Sequence, residues 1–243
     1  MIGSRLHSLR PTRSPCLPLC AASSTRAVDH HLSAAAWSNV VGALPIIFLC
    51  AVHGEVSFVC RAHTLASADS DVYQAATFMT NVGSPMCSLA LSAVCVLLSM
   101  MTARFRLSAG IAIASVVAAR LGVYFKEAVG RPRPNCGPST ALDAVPGYSF
   151  PSGHAITITV ICGSAALIGV PLMRGRRRLV LATSLAILWA TVSWSRVILG
   201  VHFPSDVVAG QAIGLSFVFI VAGADRAYDY RHSTNFCEKG MLK

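Results

Sequence analysis

The sequence predicts an all-α, integral membrane bundle of six transmembrane helices. Three observations carry that expectation. Apolar residues make up 54% of the 243-residue chain and charged residues only 12%, about half the charge of an ordinary soluble domain, which leaves too little polar surface to coat a water-soluble globule. Six apolar stretches, at 34–53, 85–103, 107–125, 155–173, 179–199 and 205–224, reach or approach the roughly 17 to 25 helical residues that cross a hydrocarbon core. The basic residues sit between those stretches instead of lining amphipathic faces. Disorder is excluded by the same figures, because disordered chains are poor in apolar residues and rich in charge. The formal net charge of +10 would suit nucleic acid only if the basic residues clustered with polar and aromatic neighbours on a soluble fold, so no nucleic-acid partner is expected.

Residues 1–33 are rich in Arg and Ser and carry no acid before Asp29. That composition fits an organellar transit peptide and equally a basic tail; we read a poorly ordered cytoplasmic tail, followed by the membrane domain at 34–224 and a second cytoplasmic tail at 225–243. Pro45 and Pro171 fall inside spans, where neighbouring helices can satisfy the freed carbonyls. In the loop at 54–84, Asp69 and Asp71 precede Val72, Ala75, Ala76 and Met79 at helical spacing, the pattern of a short amphipathic helix lying on the outer face. The connections at 104–106 and 174–178 are short and mostly arginine, and with six spans they share a side with both termini. That side holds fourteen Lys and Arg and the other five, with Arg120 inside a span; the richer side is therefore cytoplasmic. Those arginines read as topology determinants, not as ligands.

The nine cysteines form no CxxC pair and no Cys/His grouping with zinc-finger spacing, so neither a zinc module nor a redox site is indicated. Cys50, Cys95 and Cys162 fall in apolar blocks as small buried hydrophobes. Cys60, Cys87 and Cys136 lie on or near the outer, oxidising face, where one disulfide can form between a pair that the sequence does not specify.

On the sparsely charged side, four of the five basic residues crowd into short stretches beside two histidines and an aspartate. The stretches are Lys126 to Pro134 with Arg131 and Arg133, then Pro151, Ser152, Gly153 and His154 opening the fourth span, then Ser195 and Arg196, with His202 to Asp206 ahead of the sixth. Cations gathered where positive charge is otherwise sparse imply an anionic ligand, and a tetrahedral oxyanion such as phosphate suits guanidinium forks and an ammonium point charge. Pro151 is placed to start a helix, which would make the N–H groups of Ser152, Gly153 and His154 free donors at an anion-binding N-terminus. Gly153 lets a ligand approach the backbone. His202 and Asp206 are four apart, so the carboxylate can reach one ring N–H, leaving the other nitrogen to attack or to accept a proton.

These spacings, Lys-x6-Arg-Pro, Pro-Ser-Gly-His and Ser-Arg-x5-His-x3-Asp, resemble in order the three-part signature of the type 2 phosphatidic acid phosphatase family, with a tail at Gly200 to Gly210 more like its bacterial branch. The resemblance implies a lipid phosphate phosphatase with a helical core related to that of the vanadium haloperoxidases, a lipid phosphate monoester or diphosphate as substrate, and no cofactor or metal. It also implies that His202 is the nucleophile forming a phosphohistidine, oriented by Asp206, that His154 protonates the leaving alkoxide, and that Lys126, Arg133, Ser152, Gly153 and Arg196 hold the phosphoryl oxygens. Spacing alone does not choose between Arg131 and Arg133; the family pattern selects Arg133. The asymmetry of basic residues puts this site at the outer face of a cell membrane.

Other residues read blandly. His53, Arg61 and His63 are expected to be solvated, Arg120 to snorkel to the interface, and Glu127 or Asp143 to act at most as counter-ions. Three rivals stand beside the phosphatase. A haloperoxidase is opposed by the spans, a phosphotransferase differs only in its acceptor, and a six-helix transporter or scaffold is opposed by polar groups lying at span ends instead of mid-membrane. Which lipid is cleaved is not written in the short outer loops.

Overall fold

The structure, a computed structural model, describes residues 54–68, 70–102, 104–136 and 146–241, without the side chains of 68, 70 and 229–241. The expected tail at 1–33, the first expected span at 34–53, and His53 and Asp143 lie outside the described residues. The described residues up to 231 fall in one compact unit, and the side chains that build the site belong to it. Seven helices follow one another among the described residues: α1 (Glu55–Ala68), α2 (Ser70–Val82), α3 (Pro85–Met101), α4 (Phe105–Val129), α5 (Gly153–Leu172), α6 (Gly175–Ile198) and α7 (Pro204–Met241).

Among the described residues, four helices are long and apolar enough to cross a membrane: α4, α5, α6 and the Pro204–Tyr228 part of α7. α4 and α6 begin ahead of the expected apolar runs because the arginines there are good helix formers. Arg106 lies in α4, which moves the first basic connection to 102–104 at the same length, and Arg176, Arg177 and Arg178 lie in the first turn of α6, which shortens the second to 173–174. The helix of the last span likewise continues past 224 to Met241. The remaining expected span, 85–103, is the 17-residue α3, which qualifies only together with α2, across a break bent by 53°. Local chemistry makes that break: Ser84 Oγ accepts the Cys87 N–H, and Pro85 opens the new helix. The amphipathic helix expected near 69–79 is therefore α2. Its Ala76, Tyr73 and Met79 pack on Leu199, Val201 and Val192 around the end of α6.

Small residues set the spacing between α5 and α7. A Cβ on Gly210 would stand 2.6 Å from the Ser152 carbonyl oxygen, and one on Gly214 would stand 2.8 Å from that of Ile156. Two glycines four apart thus let α7 lie against the backbone of α5, the way small residues bring membrane helices together. Toward the basic end, Cys95, Leu107, Ile111, Ala114, Ile168 and Val221 form an apolar cluster. There Arg104 pairs with Asp225 at 2.5 Å, so this expected topology arginine also ties α4 to α7. Cys95 and Cys162 are buried as expected.

At the opposite end four helix termini converge. Lys126 lies in the last turn of α4, His154 in the first turn of α5, Arg196 in the last turn of α6 and Asp206 in the first turn of α7. The segments 130–152 and 199–203 connect them, so residues up to 80 positions apart in sequence meet at one end of the bundle.

Candidate active site

His202 sits in the turn between α6 and α7, only 2% exposed. Its backbone N–H donates to the Arg196 carbonyl at 3.3 Å, and the Gly200 backbone, at φ 73°, makes the turn that allows this. The two ring nitrogens meet different neighbours. Nδ1 stands 3.5 Å from Asp206 Oδ2 without forming a hydrogen bond, whereas Nε2 stands 3.4 Å from Arg133 Nη1. Burial pushes the imidazole down to about 4; Asp206 opposes the shift, and Arg196 adds to it. The ring is therefore neutral at physiological pH, which is the state a nucleophile needs.

Asp206 is fully buried and doubly held: Oδ2 accepts the Phe203 N–H at 2.9 Å, and Oδ1 accepts from Arg131 Nη1 at 2.8 Å. Arg131 also donates to Glu55 Oε2 at 2.9 Å and to Ser205 Oγ at 2.7 Å, and its guanidinium lies 4.0 Å over the Phe203 ring. Glu55 in turn accepts the Ser205 N–H at 2.9 Å, which caps α7 from outside. The two arginines that spacing did not separate take different places. Arg133 faces His202, and Arg131 lies one layer behind, joining Glu55 to Asp206.

Arg133 is aimed by carbonyls: Nε donates to Gly147 at 3.1 Å and Nη1 to Val201 at 2.9 Å. Burial lowers this guanidinium from the usual arginine range, with Asp206 opposing. Lys126 Nζ donates to the Tyr148 carbonyl at 2.7 Å. Arg196, 4% exposed, donates through Nη1 to Thr80 Oγ1 at 2.7 Å, while its Nε has no partner. His154 lies against Gly83 at the α2–α3 break, where a Cβ would stand 2.8 Å from its Cδ2. Space beside Gly153 is open, with nothing within 4 Å of a built Cβ.

One expectation is corrected. The Ser152 N–H is not a free donor, because Ser152 precedes the helix as its N-cap and its N–H turns back to the Asp206 carbonyl at 3.0 Å. Its hydroxyl, fully buried, has no partner. Two further readings change as well. His63, expected to be solvated, stacks over Gly200 with Nδ1 3.3 Å from the Ile198 carbonyl. The counter-ion within the cluster is Glu55, whereas Glu127 is exposed.

Sequence reasoning missed Glu55, Thr80 and Ser205. Glu55 offers one weak signal, an acid at the mouth of the first expected span on the side of the arginines; Thr80 and Ser205 offer none. Among the described residues, no group of three His, Cys, Asp or Glu is placed to hold a metal ion. Cys60 and Cys136 are joined in a disulfide, leaving Cys87 free and exposed. The bridge ties α1 to the segment that carries Arg131 and Arg133.

Residues 92–227, which include every site residue expected from the sequence, match the model of the PAP2 superfamily. The chain belongs to the PAP2 superfamily. It is 36% identical over 110 residues to phosphatidylglycerophosphatase B of Bacillus subtilis, covering 43% of this chain and 51% of that protein. Over 111 residues it is 35% identical to the undecaprenyl-diphosphatase of Sulfolobus acidocaldarius, covering 44% and 50%. The chain thus spans about half the length of these curated relatives. In fold it resembles the crystal structure of a transmembrane PAP2-type phosphatidylglycerolphosphate phosphatase from Bacillus subtilis, with a TM-score of 0.65 at 22% identity, covering 79% of this chain and 96% of that one. Glu55 and Thr80 fall outside the matched PAP2 segment.

Proposed function

We propose that this PAP2 protein is a membrane phosphatase that hydrolyses a lipid phosphate monoester or diphosphate through a phosphohistidine. One observation carries the reading. Beside a buried neutral imidazole, the Ser152 hydroxyl and Arg196 Nε are buried donors without a protein acceptor, and buried donors are rarely left so unless a ligand completes them. A phosphoryl group supplies such acceptors, and Lys126 and Arg133 offset its charge.

In the first step His202 Nε2 attacks phosphorus while Asp206 steadies the charge forming on the ring. The phosphorus–oxygen bond to the lipid breaks, and His154 protonates the departing oxygen. In the second, His154 takes a proton from water, the water oxygen bonds to phosphorus, and the phosphorus–nitrogen bond breaks to release phosphate. Arg133, Arg196 and Lys126 stabilise the charge on the transferring group, as cations do in phosphoryl transfer generally.

The proposed setting is a six-span bundle, its first span at 34–53, with a helical core akin to that of the haloperoxidases and the site on the outer face. The arginine asymmetry favours that orientation. So does a disulfide beside the site, since such bonds persist in oxidising compartments. The compounds in the relatives' names, phosphatidylglycerophosphate and undecaprenyl diphosphate, belong to the proposed substrate class.

The test is phosphate release by the purified chain from phosphatidate, lysophosphatidate, phosphatidylglycerophosphate and a polyprenyl diphosphate, with EDTA and with vanadate. Release from at least one lipid, surviving EDTA and blocked by vanadate, is expected. Activity lost in EDTA and restored by Mg²⁺ would refute the metal-free mechanism, and no release from any lipid would refute the function.

A further inference from the structure

A cleft of about 530 Å³ opens from the site between α3, α4 and α5. Its upper wall is Lys126, Gly153 and His154, and it reaches down to Ser115 and Val160. Along α4 the distance from Lys126 to Ser115 is about 16 Å, at 1.5 Å per residue. The lining is mostly apolar, but Arg120 stands within it, about 9 Å below Lys126 by the same rise. Among the described residues no hydrogen bond or ion pair engages the Arg120 guanidinium, and the side chain is exposed.

A cation in an apolar cleft inside a spanning helix is costly, and such residues mark ligand paths more often than they idle. The cleft is continuous with the catalytic cage, so a lipid whose terminal phosphate lies by His202 would run its tail past Arg120. An anion on that lipid at the right depth cannot be the scissile phosphate, which the upper cage engages. It has to be a second phosphoryl group between the scissile phosphate and the tail.

We infer that Arg120 binds the non-scissile phosphoryl group of a lipid that carries two, and so selects such substrates over simple lipid monophosphates. The inference rests on the phosphatase reading above and names the substrate class within it. The second group is either the inner phosphate of a diphosphate or a phosphodiester one glycerol away, and the long, flexible side chain can reach both.

Wild type, Arg120→Gln and Arg120→Lys are compared in detergent micelles on two pairs with matched tails. One pair is farnesyl phosphate and farnesyl diphosphate; the other is dioleoyl phosphatidate and dioleoyl phosphatidylglycerophosphate. The readout is the ratio of kcat/KM, two-phosphoryl over one-phosphoryl, within each pair. Arg120→Gln should lower that ratio about tenfold, the scale of one lost charge-assisted hydrogen bond, and Arg120→Lys should lower it less. A fall in one pair only identifies which second group is bound. A ratio that moves less than threefold in both pairs overturns the inference. Competition binding of farnesyl methylenediphosphonate against farnesyl phosphonate needs no turnover and separates the two failures. If no lipid is hydrolysed yet the bisphosphonate preference depends on Arg120, the function is wrong and the subsite stands; hydrolysis without that dependence leaves the function standing and removes the subsite.

Discussion

The two nitrogens of His202 are divided between unlike neighbours, a carboxylate at Nδ1 and a guanidinium at Nε2. Asp206 favours the Nδ1–H tautomer, and Arg133 favours a lone pair on Nε2. Nitrogen-15 spectra of histidine-labelled protein, with His202 assigned by its loss in His202→Ala, should show a neutral Nδ1–H ring that gains its proton only as pH falls through about 4. Because the unfolded chain takes up that proton near 6.5, stability from this group falls as pH drops from about 6.5 toward 4 and is full above that window. A titration centred at 6 or higher contradicts the burial argument. The two histidines separate by leaving group. His202→Ala should abolish phosphoenzyme trapped by acid quench, whereas His154→Ala should still be phosphorylated by an aryl phosphate and be about 10² to 10⁴ slower with a lipid alkoxide. Phosphoenzyme in His202→Ala would make His154 the nucleophile. Behind them, Glu55→Gln leaves Arg131 with Asp206 as its sole carboxylate partner, drawing charge away from the imidazole. Phosphorylation should slow about tenfold with vanadate affinity little changed, and equal losses in both would mark a collapsed site. The histidines and cations are legible in sequence because each motif is fixed by the end of one helix. Glu55 and Thr80 are not, because their partners Ser205 and Arg196 lie 150 and 116 residues away and only packing brings them together.

Among the elements, the contact between α5 and α7 brings Ser152 and His154 to Asp206. Gly210 is where a Cβ would come nearest to backbone, because it meets the Ser152 carbonyl oxygen, which cannot rotate away. Gly210→Ala should cost about 1 to 3 kcal/mol as overpacking and lower activity at least tenfold. Gly223→Ala meets nothing within 4 Å on the same helix and should be neutral or slightly stabilising, since alanine is the better helix former. Thermal melting and turnover of the two variants provide the comparison; equal behaviour would remove the close approach as the reason for glycine at 210. The helices themselves follow from apolar runs long enough to be unambiguous. Their ends do not, because arginine extends α6 toward its start as readily as an apolar residue would, and a serine cap with proline at 84 and 85 breaks an apolar stretch that composition alone runs together.

For the whole molecule, orientation decides which leaflet supplies substrate. Cysteine introduced at Arg177 should resist impermeant maleimide in intact cells, and cysteine at Ala141 should be labelled, in a background retaining only Cys60 and Cys136. Labelling at 177 would invert the proposed topology. The all-helical, multi-span character is legible from composition because burying polar backbone in lipid leaves helices as the simplest solution for apolar runs of this length. The pairing of Cys60 with Cys136 is not, since it depends on how α1 folds over the 130–136 segment. That fold-over also has a temporal side. Glu55 emerges from the ribosome early, yet Arg131 and Ser205, which neutralise and ligate it, come 76 and 150 residues later. Until the last helix is made, Glu55 therefore has its counter-ion in Arg131 but lacks both Ser205 donors, so α7 arrives as the latch that completes the carboxylate's hydrogen bonding and closes the assembly.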